Sequence, residues 1–159
     1  YVLIPATTDL DLMRLTISTW VYSTNFDHNG FIFEKTADGN VNSQYNLFIQ
    51  NSELRFRVKP INSAYSQTEI DQSILSEWSN IISSYDSSKI KLFVNGQLVA
   101  SNNFNETIAT NPNGISLIGA YAFNSIGSNY FFNGLIDDVR IYDRALSAAE
   151  VQALYNLGQ

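Results

Sequence analysis

The chain has 159 residues, of which 45% are hydrophobic, 13% aromatic and only 15% charged, with a net charge of −6. That length suffices for one domain with a real core, because a domain of this size buries about two-thirds of the surface its unfolded chain exposes. Fifteen acidic against nine basic residues argue against a nucleic-acid surface, and the absence of cysteine excludes disulfides, thiolate nucleophiles and Cys-based metal sites. No apolar run approaches the ~20 residues of a membrane helix, so no membrane insertion is expected.

Short runs rich in Val, Ile, Thr, Tyr and Phe recur between Asn, Ser and Gly clusters, the habit of an all-β sandwich or barrel. The chain opens on the strand-like Tyr1–Pro5, and Leu15–Tyr22 and Phe31–Lys35 follow as strand candidates. Two hairpins can be read with register. A two-residue turn at Asn51-Ser52 sets Ile49 opposite Leu54, Leu47 opposite Phe56 and Tyr45 opposite Val58 on one face, and turns Arg55, Arg57 and Lys59 to the other. Asn95-Gly96 is a strong type I′ turn signal and sets Phe93 against Leu98 and Leu92 against Val99. Trp78–Tyr85, Ile115–Ala120 and Tyr130–Tyr142 complete the strands. The connections at 25–30, 37–43, 60–73, 101–113 and 121–129 read as polar loops, where a sandwich places a binding site. Only the C-terminus is helical: Ser147 with Glu150 forms a capping box, Val151, Leu154 and Tyr155 give an apolar stripe, and Gly158 ends it.

The run from Phe131-Phe132-Asn133-Gly134-Leu135-Ile136-Asp137-Asp138-Val139-Arg140-Ile141-Tyr142 to Val151 closely resembles the closing strand and helix of bacterial laminin G-like domains with the concanavalin A-like lectin/glucanase fold. Thr16–Val21, Trp78 with Tyr85-Asp86, and the Lys91–Val99 hairpin resemble the same family, so the likeness covers nearly all of residues 1–159. It implies a two-sheet antiparallel jelly roll with one short C-terminal helix, read here as a single domain of a larger extracellular or cell-surface protein. It also implies binding of a carbohydrate or a protein surface, frequently with a structural calcium ion, and an earlier strand ahead of Tyr1.

Such a fold hosts lectins, adhesion domains and glycosidases alike, so function has to come from the site. Retaining glycosidases need two carboxyls about 5 Å apart. Glu69-Ile70-Asp71 begins the matching strand pattern, but no third acid follows in Gln72-Ser73-Ile74, so the chain is read as no enzyme. His28, the single histidine, lacks a metal or triad partner and is read as a loop residue. In the alternation of the last strand Asp137 shares a face with Leu135, Val139 and Ile141, and a carboxylate in core register needs a cation, an arginine or several backbone donors, so it is either a calcium ligand or a satisfied structural carboxylate. Asp137 and Asp138 are therefore the candidate calcium ligands. Asp38-Gly39-Asn40 and Asp9-x-Asp11 are weaker oxygen-ligand fragments, Trp20 and Trp78 are expected in the core, and Asn105-Glu106-Thr107 matches a glycosylation acceptor. For a glycan, the loops combining aromatic rings with Asp, Asn and His supply Asp27, His28, Tyr65, Tyr121 and Asn124 as candidate ligand-binding residues. The leading expectation is a non-catalytic, lectin-like module. A structural or protein-binding adhesion domain is the alternative, and a glycoside hydrolase the third.

Overall fold

The computed structural model describes residues 1–23, 29–36, 43–61, 63–75, 78–123, 125–126 and 130–158. The strands are β1 (Val2–Ile4), β2 (Leu15–Tyr22), β3 (Gly30–Thr36), β4 (Ser43–Gln50), β5 (Glu53–Val58), β6 (Ser66–Asp71) and β7 (Trp78–Tyr85). They continue with β8 (Lys89–Val94), β9 (Gln97–Asn103), β10 (Ser116–Ile118), β11 (Ala122–Phe123), β12 (Ser125–Ile126) and β13 (Leu135–Tyr142), before the helix α1 (Ala148–Leu157). A six-stranded sheet runs β1-β10-β3-β4-β5-β6 and a five-stranded sheet runs β13-β2-β7-β8-β9, with every pair antiparallel. This is the expected jelly-roll sandwich.

The two inner faces meet in one core. Phe33, Tyr45, Leu47, Ile49, Leu54, Phe56 and Val58 come from the six-stranded sheet, and Leu15, Ile17, Val21, Ile81, Tyr85, Ile90, Leu92 and Val94 from the five-stranded one. The β4–β5 hairpin has the expected register, Tyr45↔Val58, Leu47↔Phe56 and Ile49↔Leu54. Its turn puts both Asn51 (φ 53°) and Ser52 (φ 63°) in the left-handed region, the type I′ geometry whose twist suits a hairpin. Asn95 (φ 50°) and Gly96 (φ 78°) do the same for β8–β9. There Phe93 faces Leu98 as expected, but a bulge then sets Leu92 against Ala100, not Val99.

Two further expectations are corrected. The 60–73 segment is not all loop: Ser66–Asp71 pairs with β5 as the edge strand β6, its polar residues being tolerated because its outer edge faces solvent. In β13, a bulge lies between Asp137 and Arg140, with Asp138 at φ 51°. One extra residue reverses the alternation, so Ile136, Val139 and Ile141 pack on the core while Leu135 and Asp137 face out.

The outer face of the five-stranded sheet is closed by α1. Ile82 and Phe93 form a second apolar cluster with Leu146 and Val151, flanked by Tyr142 and Leu154, and Trp20 stacks on Tyr155 at 5.9 Å. The helix is docked by Thr16, whose Oγ1 accepts from the Leu146 N–H and donates to the Arg144 carbonyl. Its start is the capping box foreseen in the sequence: Ser147 Oγ accepts from Glu150 N–H while the Glu150 carboxylate accepts from Ser147 N–H. Arg144 adds a two-pronged contact to the same carboxylate, holding the Glu150 acid down at about 2. Trp20 is half-buried under the helix, but Trp78 is not in the core; it is 41% exposed and tilts against Tyr22 at 5.6 Å. Removal of the cap by Ser147→Ala should lower stability by about 1 kcal/mol, read as a shift in the urea midpoint with an unchanged slope.

Candidate functional site

Strand alternation that sends Tyr45, Leu47, Leu54, Phe56 and Val58 inward sends Asn46, Phe48, Gln50, Arg55 and Arg57 outward. Across the six-stranded sheet the outward residues form rows. One row is Glu34–Asn46–Arg57–Gln67 and the next contains Phe31–Phe48–Arg55–Glu69. Chain segments beyond the strands lay Tyr65, Tyr121 and Tyr130 over these rows. A cleft of about 240 Å³ remains, lined by Phe31, Phe48, Gln50, Arg57, Tyr121 and Tyr130.

Aromatic stacking builds the walls. Phe31 lies parallel to Phe48 at 4.8 Å and to Tyr121 at 4.3 Å, and Tyr130 meets Tyr121 edge-on at 5.8 Å. Tyr130 is anchored by its backbone, since its carbonyl accepts from Phe31 N–H at 3.1 Å. Tyr65 is fixed by its hydroxyl, which accepts from Ser43 N–H at 2.8 Å. The Arg57 guanidinium lies 4.5 Å over the Phe48 ring and 4.9 Å over the Tyr65 ring, cation–π contacts worth roughly 0.5–2 kcal/mol each. Gln50 accepts from Arg55 Nη1 through its Oε1, so its amide NH2 is the end left for a ligand.

Beneath the cleft sits Glu34, 1% exposed, accepting from Ser43 Oγ at 2.6 Å and from Ala122 N–H at 2.8 Å. Desolvation outweighs these two bonds and raises its acid to about 7. Burial, with Glu34 and Tyr65 nearby, also pushes the Tyr121 phenol up to about 12, so that ring stays neutral. In the same row the Asn46 Oδ1 and the Arg57 Nε are both buried without a hydrogen-bond partner.

The sequence-derived candidates divide. Tyr121 lines the cleft and Tyr65 packs on its Arg57, so these two converge on one site. Asp27, His28, Asn124 and the Asp38-Gly39-Asn40 fragment lie outside the described residues. Asp137 and Asp138 lie elsewhere, on the exposed edge strand β13, and the bulge removes the core register that singled out Asp137. Asp137 Oδ1 accepts from Asp138 N–H, and Asp138 is ion-paired with Arg140 at 2.9 Å. Among the described residues no group of three potential metal ligands occurs. Asp137 and Asp138 by themselves supply only part of the 6–8 oxygens that calcium takes. Asp11 is likewise engaged, accepting from Asn111 N–H. Calcium added to chelated protein should leave the melting curve in place on these grounds; a rise of several degrees at saturation would show a site completed by other residues.

Sequence reasoning missed the cleft floor. Phe31, Phe48, Gln50 and Arg57 are strand residues, and the one signal for them was the outward alternation of Arg55, Arg57 and Lys59. Glu34 on β3 and Glu69 on β6 do not form a hydrolytic pair: their strands are three spacings apart, about 14 Å at ~4.8 Å per spacing, beyond the ~5–9.5 Å that glycoside hydrolysis uses. Glu69 and Asp71 are exposed on the edge strand.

Comparison with known proteins follows this geometry. Residues 1–152 match the family model described as the concanavalin A-like lectin/glucanases superfamily. Among solved structures, the chain is similar to the binding domain of botulinum neurotoxin serotype G (TM-score 0.72, 15% identity, covering 98% of this chain and 40% of that one). It is similar too to the serotype D ligand-binding domain in complex with N-acetylneuraminic acid (TM-score 0.73, 18% identity, 99% and 39% covered). A third is the binding domain of botulinum neurotoxin DC in complex with rat synaptotagmin II (TM-score 0.70, 15% identity, 92% and 36% covered). The chain thus spans about two-fifths of the length of these proteins, and at such identities the likeness is one of fold.

Glu34 makes the site sensitive to pH. The native state keeps its proton to about pH 7 whereas an unfolded glutamate releases it near 4.5, so between these values the native state binds more protons and stability falls as pH rises. The contribution is greatest below pH 4.5 and lost above pH 7, about 3 kcal/mol in all. Glu34→Gln should flatten this part of the stability profile, measured by denaturant unfolding at pH 5 and pH 7.5.

Proposed function

Because the chain belongs to the concanavalin A-like lectin/glucanases superfamily, we propose that it is a non-catalytic, carbohydrate-binding module of an extracellular protein and that the aromatic cleft on the six-stranded sheet is its sugar site. The observation that carries this reading is the convergence of tyrosine rings with amide and guanidinium donors in one open cavity. A sugar ring presents weakly apolar C–H faces and a rim of hydroxyls. Tyr121 and Tyr130 offer flat surfaces to the first, and the Gln50 amide and Arg57 guanidinium offer donors to the second. At about 240 Å³ the cleft is below the ~300–1,000 Å³ of drug-sized pockets, which favours one sugar ring at a chain end or branch over a long stretch of polysaccharide.

The separation of Glu34 from Glu69 speaks against these two as a hydrolytic pair, and the solved structures of similar fold are binding domains. The buried Glu34 serves as a structural acid, gripping Ala122 next to the Tyr121 wall. The solved binding domains of similar fold support a recognition role, one of them being complexed with a sugar and one with a protein. No helix among the described residues is long and apolar enough to cross a membrane.

A glycan array with the purified chain, followed by titration of the best ligand, tests the proposal. An open site of this size should bind at micromolar to millimolar strength, about 4–8 kcal/mol. Tyr121→Ala should weaken binding at least tenfold, or about 1.4 kcal/mol, without loss of fold by thermal melting. Binding that survives this substitution in a folded variant would place the sugar elsewhere, and an array without any hit would favour a protein-binding domain.

A further inference from the structure

We infer that the cleft selects an acidic sugar, the carboxylate of a uronic or comparable acid residue being held by the Arg57 guanidinium; this rests on the carbohydrate reading above. The ion pairs of the described residues engage Arg55, Lys91, Arg140 and Arg144. Arg57 has no such partner, although it is half-buried and lines the cleft. Its strand neighbours show why. Arg55 is opposite Glu69 in register and bonded to Glu53, whereas Arg57 is opposite Gln67, an uncharged residue. Lys59, the third outward cation of this strand, donates to the Ser63 carbonyl.

A guanidinium with a buried, unbonded Nε is an expensive group to leave unpaired. Its held charge is felt in solution terms as well: burial lowers the basicity of Arg57, and the groups acting on it are Tyr65, Arg55 and Tyr121, not a carboxylate. The guanidinium lies over the Phe48 and Tyr65 rings at 4.5 and 4.9 Å, contacts that restrict it before any ligand arrives. A rigid guanidinium fork matches the two oxygens of a carboxylate, and the pair is short and charge-assisted. Gln50 lines the same cleft floor, where its amide would take a sugar hydroxyl, and the Tyr121 ring would cover the sugar face. The net charge of −6 opposes anions in general, so the preference has to be local and specific to this cleft.

The test compares three ligands of one backbone by titration calorimetry: a uronic-acid oligosaccharide, its carboxyl-reduced neutral form and an O-sulfated neutral form. The uronate should bind at least tenfold more tightly than the reduced form, and the difference should shrink as salt is raised. Arg57→Gln should bring the two to equal affinity, Arg57→Lys should restore part of the preference by charge without the fork, and Arg55→Gln on the same strand face should retain it. Equal binding of uronate and neutral sugar by the unmutated protein overturns the inference while leaving the sugar site standing. A preference that persists in folded Arg57→Gln, or that belongs to the sulfated sugar alone, also overturns it. Absence of binding by all three overturns the inference, and the carbohydrate reading falls with it only where the glycan array also yields no hit. Should Arg57→Gln fail to fold, the uronate-against-reduced comparison on the unmutated protein still decides.

Discussion

The register of β4 against β5 is the constraint on which the rest of the molecule depends. Tyr45, Leu47 and Ile49 must face Leu54, Phe56 and Val58, because all six are buried at the centre of the sandwich. Strand periodicity then leaves no choice for the intervening residues. Asn46, Phe48, Gln50, Arg55 and Arg57 all lie on the outer face, and a slip of one residue would drive two guanidinium groups into the core. The left-handed turn at Asn51-Ser52 sets the loop at two residues and locks that register. The floor of the cleft is therefore fixed by the same alternation that makes the core.

The two outer faces are finished in different ways, and that difference motivates the proposed site. On the five-stranded sheet, Ile82 and Phe93 carry apolar side chains that need cover, and α1 supplies it through Leu146, Val151 and Leu154. On β4, β5 and β6 of the six-stranded sheet the outward residues are polar or aromatic, and no aliphatic patch there calls for a helix. Tyrosines from connecting segments pack edgewise and face to face on Phe31 and leave a gap between them. A covered sheet face is a packing surface; an incompletely covered one lined with rings and hydrogen-bonding groups can receive a ligand.

Much of this was legible in the sequence, for local reasons. Both two-residue turns, the β4–β5 register and the capping box at Ser147 depend on residues close together in the chain, and each is found in the structure. Tyr65 and Tyr121 were singled out as loop aromatics and do meet at Arg57. What escaped depends on cross-strand geometry. The bulge at Asp138 carries no residue signature, yet it turned Asp137 from a core-register carboxylate into an exposed one. β6 escaped because Ser66-Gln67-Thr68-Glu69 looks like a solvated loop, and only its pairing with β5 makes it a strand. Trp78 escaped because a strand pattern does not say which face is roofed; its row, with Tyr22, lies on the outer side of the five-stranded sheet, where it remains partly open. The cleft itself joins strands whose neighbours in space are far apart in sequence, so its floor could be read as outward-facing but not as a site.

The sheet also explains how a buried carboxyl and an unpaired guanidinium coexist under one cleft without cancelling. Glu34 and Arg57 stand in one row, with Asn46 of β4 between them. Two strand spacings, about 10 Å, separate their backbones, and no ion pair among the described residues joins them. Glu34 takes its hydrogen bonds from Ser43 and Ala122 instead, and its burial favours the protonated acid. Arg57 lies over two aromatic rings, which hold a cation but do not neutralise it. Had the acid stood on β4 in place of Asn46, the two would have paired across the strands and closed the site electrically. With an amide at that position, the acid organises the Tyr121 wall while the guanidinium keeps its charge for whatever enters the cleft.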